Sequence, residues 1–178
     1  TNAELFGSAT AVPGVECTQC DVDTYTIAFP STISKSANYT YTINNGTYTV
    51  NPAPLIVNID SFTATYGDSQ PIFTFSLSGV QYNDPNAELF GSDTATPVVE
   101  CTQCDAGSYP IAFPSTISTS DNYTYTFNNG TYTVNAFDLT LQVGDTAIDY
   151  GAEGPLTYGY TLTPSVLPYQ DTTADVFG

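Results

Sequence analysis

The 178-residue sequence has no histidine, no methionine and no tryptophan, and its single basic residue is Lys35. Without histidine, the commonest general base and the commonest side-chain metal ligand are both missing. With one cation against them, 18 acidic residues leave a formal net charge of −17. That balance argues against nucleic acid or an anionic membrane as a partner, because both repel a polyanion. No apolar run approaches the ~20 residues that span a bilayer, so direct membrane insertion is not expected. No signal peptide is visible, as expected of an internal or mature fragment. Such charge would suit a disordered chain, but 41% hydrophobic and 13% aromatic residues are enough to build a core.

What the sequence does contain is itself, twice. Residues 2–50 align without gaps on 86–134, an offset of 84, and 39 of 49 positions are identical. NAELFGS, CTQC, AFPSTIS and NNGTYTV all recur. Near-identical neighbours indicate an array built from one module. A period of 84 favours small units, each close to the size at which one core is marginal. Lys35 becomes Thr119 in the second copy, so a lysine–asparagine cross-link cannot belong to every repeat. The sequence opens at NAELFG and closes at DVFG, the same phase, with about three residues inserted after Leu162. This phase match is expected either of an excerpt from a longer array or of one subunit of a polymer.

The four cysteines form two CxxC pairs, one per copy. In an oxidising compartment each pair closes locally, as Cys17–Cys20 and Cys101–Cys104, and pins one turn. Such a short loop adds little stability. A four-cysteine zinc site remains an alternative, although it needs two equivalent places in successive modules to meet. A thioredoxin-like dithiol would need a βαβ setting, and nothing near CTQC reads as a helix.

Threonine, tyrosine, valine, isoleucine and phenylalanine, broken by Gly, Pro, Asn and Asp, indicate short strands and tight turns. Segments 25–29, 54–59, 63–67 and 72–79 read as strands, with counterparts at 109–113, 137–143, 147–151 and 156–162. The clearest element is a hairpin over 38–50 turning at Asn45-Gly46, repeated at Asn129-Gly130. It would set Ile43 against Tyr48, Tyr41 against Val50, and Thr42 against Thr49, with Phe127–Tyr132 and Tyr125–Val134 in the second copy. Pro52 and Pro54 stiffen the junction that follows. The fold class is therefore all-β, as tandem small β-sandwich, immunoglobulin-like or elongated β-sheet repeats of about 84 residues.

The order of these motifs resembles a family. A strand LIVNI is followed by TATYGD, then FTFSLSG, then NYTYT and NGTYTV. This sequence is similar to the MBG repeat of the YGX type, found in tandem in large bacterial surface proteins. LIVNIDSFTATYGDSQPIFTFSLSG (55–79) matches its first half closely and NYTYTFNNGTYTV (122–134) its last part. The resemblance implies that 1–51 is the latter part of one repeat, 52–135 a complete repeat, and 136–178 the first part of the next. The CTQC insertion departs from the usual pattern. So does AIDYGAEG, where Ala152 replaces the aspartate at the Asp68 position. The resemblance implies adhesins or long stalks at the cell surface, including gliding and biofilm adhesins.

Other candidate chemistry is sparse. Tyr66-Gly67 and Tyr150-Gly151 read as a packing tyrosine before a turn glycine with positive φ, with a sugar-stacking platform as the sharper alternative. Asp21 with Asp23, and Asp60 with Asp68, are the nearest candidates for structural calcium, but no D-x-D-x-D-G loop occurs and neither pair repeats. Four sequons, at Asn38, Asn45, Asn122 and Asn129, arise readily in threonine-rich strands. Carboxylate pairs can hydrolyse sugars, yet nothing singles out any pair here. The expected function is non-enzymatic, with no cofactor: an extracellular, extended stalk or filament shaft whose partners are neighbouring repeats and, at other contacts, surface glycans or cells. Two alternatives stand beside it, a subunit of a filament polymerised by strand complementation and a glycan-binding repeat.

Overall fold

The computed structural model describes residues 2–7, 12–31, 33–154 and 158–177. The fold is all-β, with sheets of two and three strands and three five-residue helices among the described residues. It divides into two compact units. One comprises 1–56, 77–95 and 117–126, and the other 57–76, 96–116 and 127–178. Each unit therefore draws on more than one stretch of the repeat.

In the first unit, β1 (Asp23–Ile27) pairs antiparallel with β2 (Gly46–Val50). Tyr25 lies opposite Tyr48 with ring centroids 6.4 Å apart, and Thr24 opposite Thr49 with hydroxyls 3.4 Å apart. Two short helices, α1 (Asn2–Phe6) and α2 (Asn86–Phe90), are both NAELF. Each ends at a glycine with φ of 70°, Gly7 and Gly91, the left-handed stop that glycine adopts without a Cβ clash. Tyrosine hydroxyls then satisfy the last carbonyls: Tyr41 donates to the Leu5 carbonyl at 2.8 Å, and Tyr125 donates to that of Leu89. Leu89 and Phe90 are buried, and Phe90 leans on the Tyr125 ring. Lys35 places its ammonium 5.9 Å from the centroid of the Tyr41 ring. Five residues are too few to show a 3.6-residue period, which is why these helices leave no trace in the sequence pattern.

In the second unit, β8 (Gly130–Asn135) is the central strand between β4 (Phe62–Thr65) and β6 (Gly107–Ile111). β4 runs parallel to β8, with Phe62 opposite Tyr132, and β6 antiparallel, with Ile111 opposite Gly130. Alternate β8 residues Gly130, Tyr132 and Val134 are buried, the period-2 signature of a strand with one face inward. Ile59, Phe73, Cys104 and Ile111 complete that core. Phe73 meets Phe62 and Tyr132 edge-on, both at 5.5 Å. A two-stranded ribbon follows, β9 (Thr140–Val143) with β10 (Tyr160–Thr163). The helix α3 (Thr173–Phe177) closes the described chain.

Strands β3 (Ala53–Ile59), β5 (Phe75–Ser78) and β7 (Tyr123–Asn128) form a sheet in the order β5-β3-β7. Leu55, Val57 and Ile59 alternate inward along β3. Of the expected strands, 147–151 is irregular turn structure, and Leu156 and Thr157 lie outside the described residues.

The expected hairpins are not formed. Strand β7 joins β3, while β8 joins β4 and β6, so Tyr125–Val134 and Phe127–Tyr132 are not cross-strand pairs. In the first copy β2 pairs with β1, residues 38–45 contain no strand, and Ile43–Tyr48 and Tyr41–Val50 are likewise unpaired. The two-residue turns of tight hairpins need positive φ at the first or at both central residues, and none of Asn45, Gly46, Asn129 or Gly130 has it. Gly130 is needed for a different reason. Its Cα lies against the Asp60 carbonyl, and a Cβ there would overlap that oxygen.

Candidate functional site

The sequence singles out Tyr66-Gly67, and the structure shows what the pair does. Strand β4 ends at Thr65, and Tyr66 continues its pairing by donating its amide to the Asn135 carbonyl at 2.8 Å. The chain then reverses. Asp68 donates its amide to the Thr65 carbonyl at 2.9 Å, and its carboxylate accepts from the Thr65 amide at 2.8 Å. Gly67 takes φ of +97° at the apex.

This turn is docked against residues 167–171 of the same unit. A Cβ on Gly67 would come within 2.5 Å of the Pro168 side chain, so the glycine also permits close approach. The Tyr66 ring meets Tyr169 edge-on at 5.1 Å and 85°. Its hydroxyl donates to Asp171 Oδ2 at 3.0 Å. Tyr169 returns a long hydrogen bond to the Asp68 carbonyl at 3.4 Å. The receiving segment is itself strained, with Tyr169 at φ 49° and Gln170 at φ 66°. A cavity of about 390 Å³ adjoins the joint, bordered by Tyr66, Ala106, Phe137, Asp171 and Asp175. Asp175 accepts from the Thr172 hydroxyl and amide, each at 2.7 Å, a capping arrangement that lowers its pKa.

The hydrogen bond to Asp171 raises the Tyr66 phenol above its ordinary value of 10.0, with desolvation adding to the shift. The neutral phenol is the form that donates. A raised folded-state value means that the contribution is complete below the unfolded value and is lost as pH rises through the folded one. In an alkaline absorbance titration, Asp171→Asn should therefore move one tyrosine's ionisation to lower pH. An unchanged titration would show that the Tyr66–Asp171 bond is not formed in solution.

The second pair, Tyr150-Gly151, has the same turn without the dock. Ala152 donates its amide to the Asp149 carbonyl at 3.1 Å, and Gly151 has φ of +87°. Among the described residues nothing lies within 4 Å of the Gly151 Cβ direction, and Tyr150 is fully exposed at 109% of its reference area.

A matching receiver occurs in the first unit. Tyr82 and Asn83 have φ of 49° and 61°, and Asp84 donates its amide to the Gln81 carbonyl at 2.9 Å. The Asp84 carboxylate accepts from the Tyr123 hydroxyl at 2.6 Å, and burial together with this bond raises the Tyr123 pKa. A cleft of about 400 Å³ opens beside it, bordered by Asp21, Val22, Ala53, Tyr82, Asp84 and Glu88. Sequence reasoning missed these receivers. The repeated signal was Tyr-(Asn/Gln)-Asp at 82–84 and 169–171, hidden by the shift in offset from 84 to 87.

Both CxxC pairs are closed as disulfides, with Cα–Cα distances of 5.4 Å for Cys17–Cys20 and 5.3 Å for Cys101–Cys104. In this oxidised state no thiolate is available for zinc. Cys104 is buried in the core of the second unit, and Gln70 donates to the Cys101 carbonyl at 3.0 Å. The candidate calcium carboxylates each have their own donor: Asp21 takes Asn122, Asp23 takes the Thr24 amide, Asp60 takes the Thr74 hydroxyl and Asp68 the Thr65 amide. Among the described residues no three His, Cys, Asp or Glu side chains converge. The sequon side chain of Asn122 is engaged at both ends, accepting from the Val22 amide and donating to Asp21, each at 2.8 Å.

Residues 55–133 match the profile of the family described as MBG domain (YGX type). No curated protein matches the chain, and no solved structure does. The matched segment runs from β3 to β8 and carries the docked Tyr66-Gly67-Asp68 turn. Residues 55–133 are thus similar to an MBG domain of the YGX type.

Proposed function

We propose that this chain is a structural and adhesive repeat segment of a bacterial cell-surface or extracellular adhesin, working as part of an extended stalk. The match of residues 55–133 to the MBG domain is the observation that carries the reading. The 84-residue repeat and the acidic composition support it, since like charges along a shaft oppose collapse and clumping. Its partners are neighbouring repeats, with surface glycans or other cells at the adhesive contact. The reading is non-enzymatic and needs no cofactor. Among the described residues no helix is long and apolar enough to cross a membrane.

Small-angle scattering on proteins carrying two, three and four repeats tests the shaft. The maximum dimension should rise by a constant increment per repeat. A compact globule whose size grows with the cube root of mass would overturn it.

A further inference from the structure

The docked corner contains both halves of a joint, while each half also occurs once more in the chain without the other. Val80-Gln81-Tyr82-Asn83-Asp84 and Leu167-Pro168-Tyr169-Gln170-Asp171 share the same backbone, with two consecutive positive-φ residues and the same turn bond. Their surroundings also correspond. Ala106, Phe137 and Asp175 border the second, and Val22, Ala53 and Glu88 occupy the equivalent sequence positions beside the first. The difference is the tyrosine. Tyr66 fills the receiver at 167–171, whereas no tyrosine–glycine turn fills the cleft at 81–84 among the described residues. Exposure records the consequence: Tyr169, covered by Tyr66, is 37% exposed, and Tyr82 is 67% exposed.

We propose that the cleft at 81–84 is a docking site for the Tyr150-Gly151 turn of a second copy of this chain. The incoming ring would stand edge-on to Tyr82, and its hydroxyl would donate to Asp84. Tyr123 already occupies Oδ2 of that carboxylate, and a carboxylate offers about four acceptor positions, so Oδ1 can take the new bond. The replacement of Asp68 by Ala152 is compatible, because the docked corner uses the Asp68 backbone carbonyl and not its carboxylate toward Tyr169. The turn glycine would lie on Gln81 where Gly67 lies on Pro168. One copy gives the turn and the next gives the cleft, so a chain docked at one half keeps the other half for a further copy.

The proposal rests on the repeat reading above and specifies how one repeat holds the next. With a charge of −17 on each copy, association is opposed at low salt and should strengthen when the Debye length falls to about 3 Å. The test is sedimentation velocity on the whole chain at high salt over a concentration series. Wild type should form a growing series of oligomers. Tyr150→Ala should weaken association about 30-fold, the loss of a hot-spot tyrosine. Tyr82→Asn, which keeps a residue tolerant of positive φ, should do the same. Mixed together, the two variants should give dimers and nothing longer, because one retains only the cleft and the other only the turn.

Monomeric wild type at every concentration would overturn the proposal. So would variants that assemble like wild type, or a mixture that fails to dimerise while both variants keep the native circular dichroism spectrum. None of these failures would touch the stalk reading, which scattering from covalently joined repeats decides separately.

Discussion

Gly130→Ala should destabilise the second unit by about 3 kcal/mol or more, the range of a defined steric fault, while Gly46→Ala should be neutral or slightly stabilising. The two glycines occupy the same position in the two copies, each opening the strand GTYTV. At Gly130 an added Cβ would overlap the Asp60 carbonyl oxygen and press on the Ile59 carbonyl at 3.0 Å. These are backbone atoms at the end of β3, so no side-chain rotation relieves the overlap. The strand would have to move away from β4 and β6, which both pair with it. At Gly46 the nearest atoms belong to the Ile27 side chain at 3.6 Å, an ordinary contact. There the substitution mainly reduces the freedom of the unfolded chain. Urea unfolding of the two variants against wild type measures the contrast. Equal effects would refute the close approach at Asp60.

Ile111→Ala should cost about 3 to 4 kcal/mol, and Ile27→Ala about 1 kcal/mol. The residues are again equivalent positions of the repeat. Ile111 ends β6 and is fully buried among Ile59, Phe73, Cys104, Tyr132 and Val134. Truncation there removes transfer free energy and leaves a cavity that the sheet cannot collapse into. Ile27 ends β1 in a two-stranded ribbon and is only half-buried, so water takes back most of the space. Separate thermal transitions for the two units, followed by near-ultraviolet circular dichroism, would report each change. A cost at Ile27 as large as at Ile111 would show that β1 is covered in solution.

These pairs show what could be read from the sequence. The all-β class followed from composition and alternation, and β3, β4, β5 and β6 lie where LIVNI, TATYG, FTFSLSG and YPIAF placed them to within a few residues. The disulfides followed from the CxxC spacing. At Tyr66-Gly67 the ring meets Tyr169 and the glycine takes positive φ, while Tyr150 of the second pair stands exposed. The hairpins did not follow, because Asn-Gly is needed for two physical reasons and local sequence does not separate them. One is positive φ in a tight turn, and the other is room for a neighbouring backbone, which at Gly130 comes from Asp60, seventy positions earlier. Identical residues in the two copies also differ in burial, as Ile27 and Ile111 do. Local pattern gives each copy the same propensity, and burial depends on which distant strands lie alongside.

The ammonium of Lys35 over the Tyr41 ring has one more consequence. Enzymes of the trypsin type need a cationic side chain free to enter a deep acidic pocket. This polypeptide offers them a single scissile bond in 178 residues, and the cation beside it is already resting on an aromatic face. In the second copy threonine stands at that place, and the cut is lost altogether. Digestion by such enzymes should yield at most two pieces, parted after residue 35, and should leave the sequence from 36 onward as one uncut length.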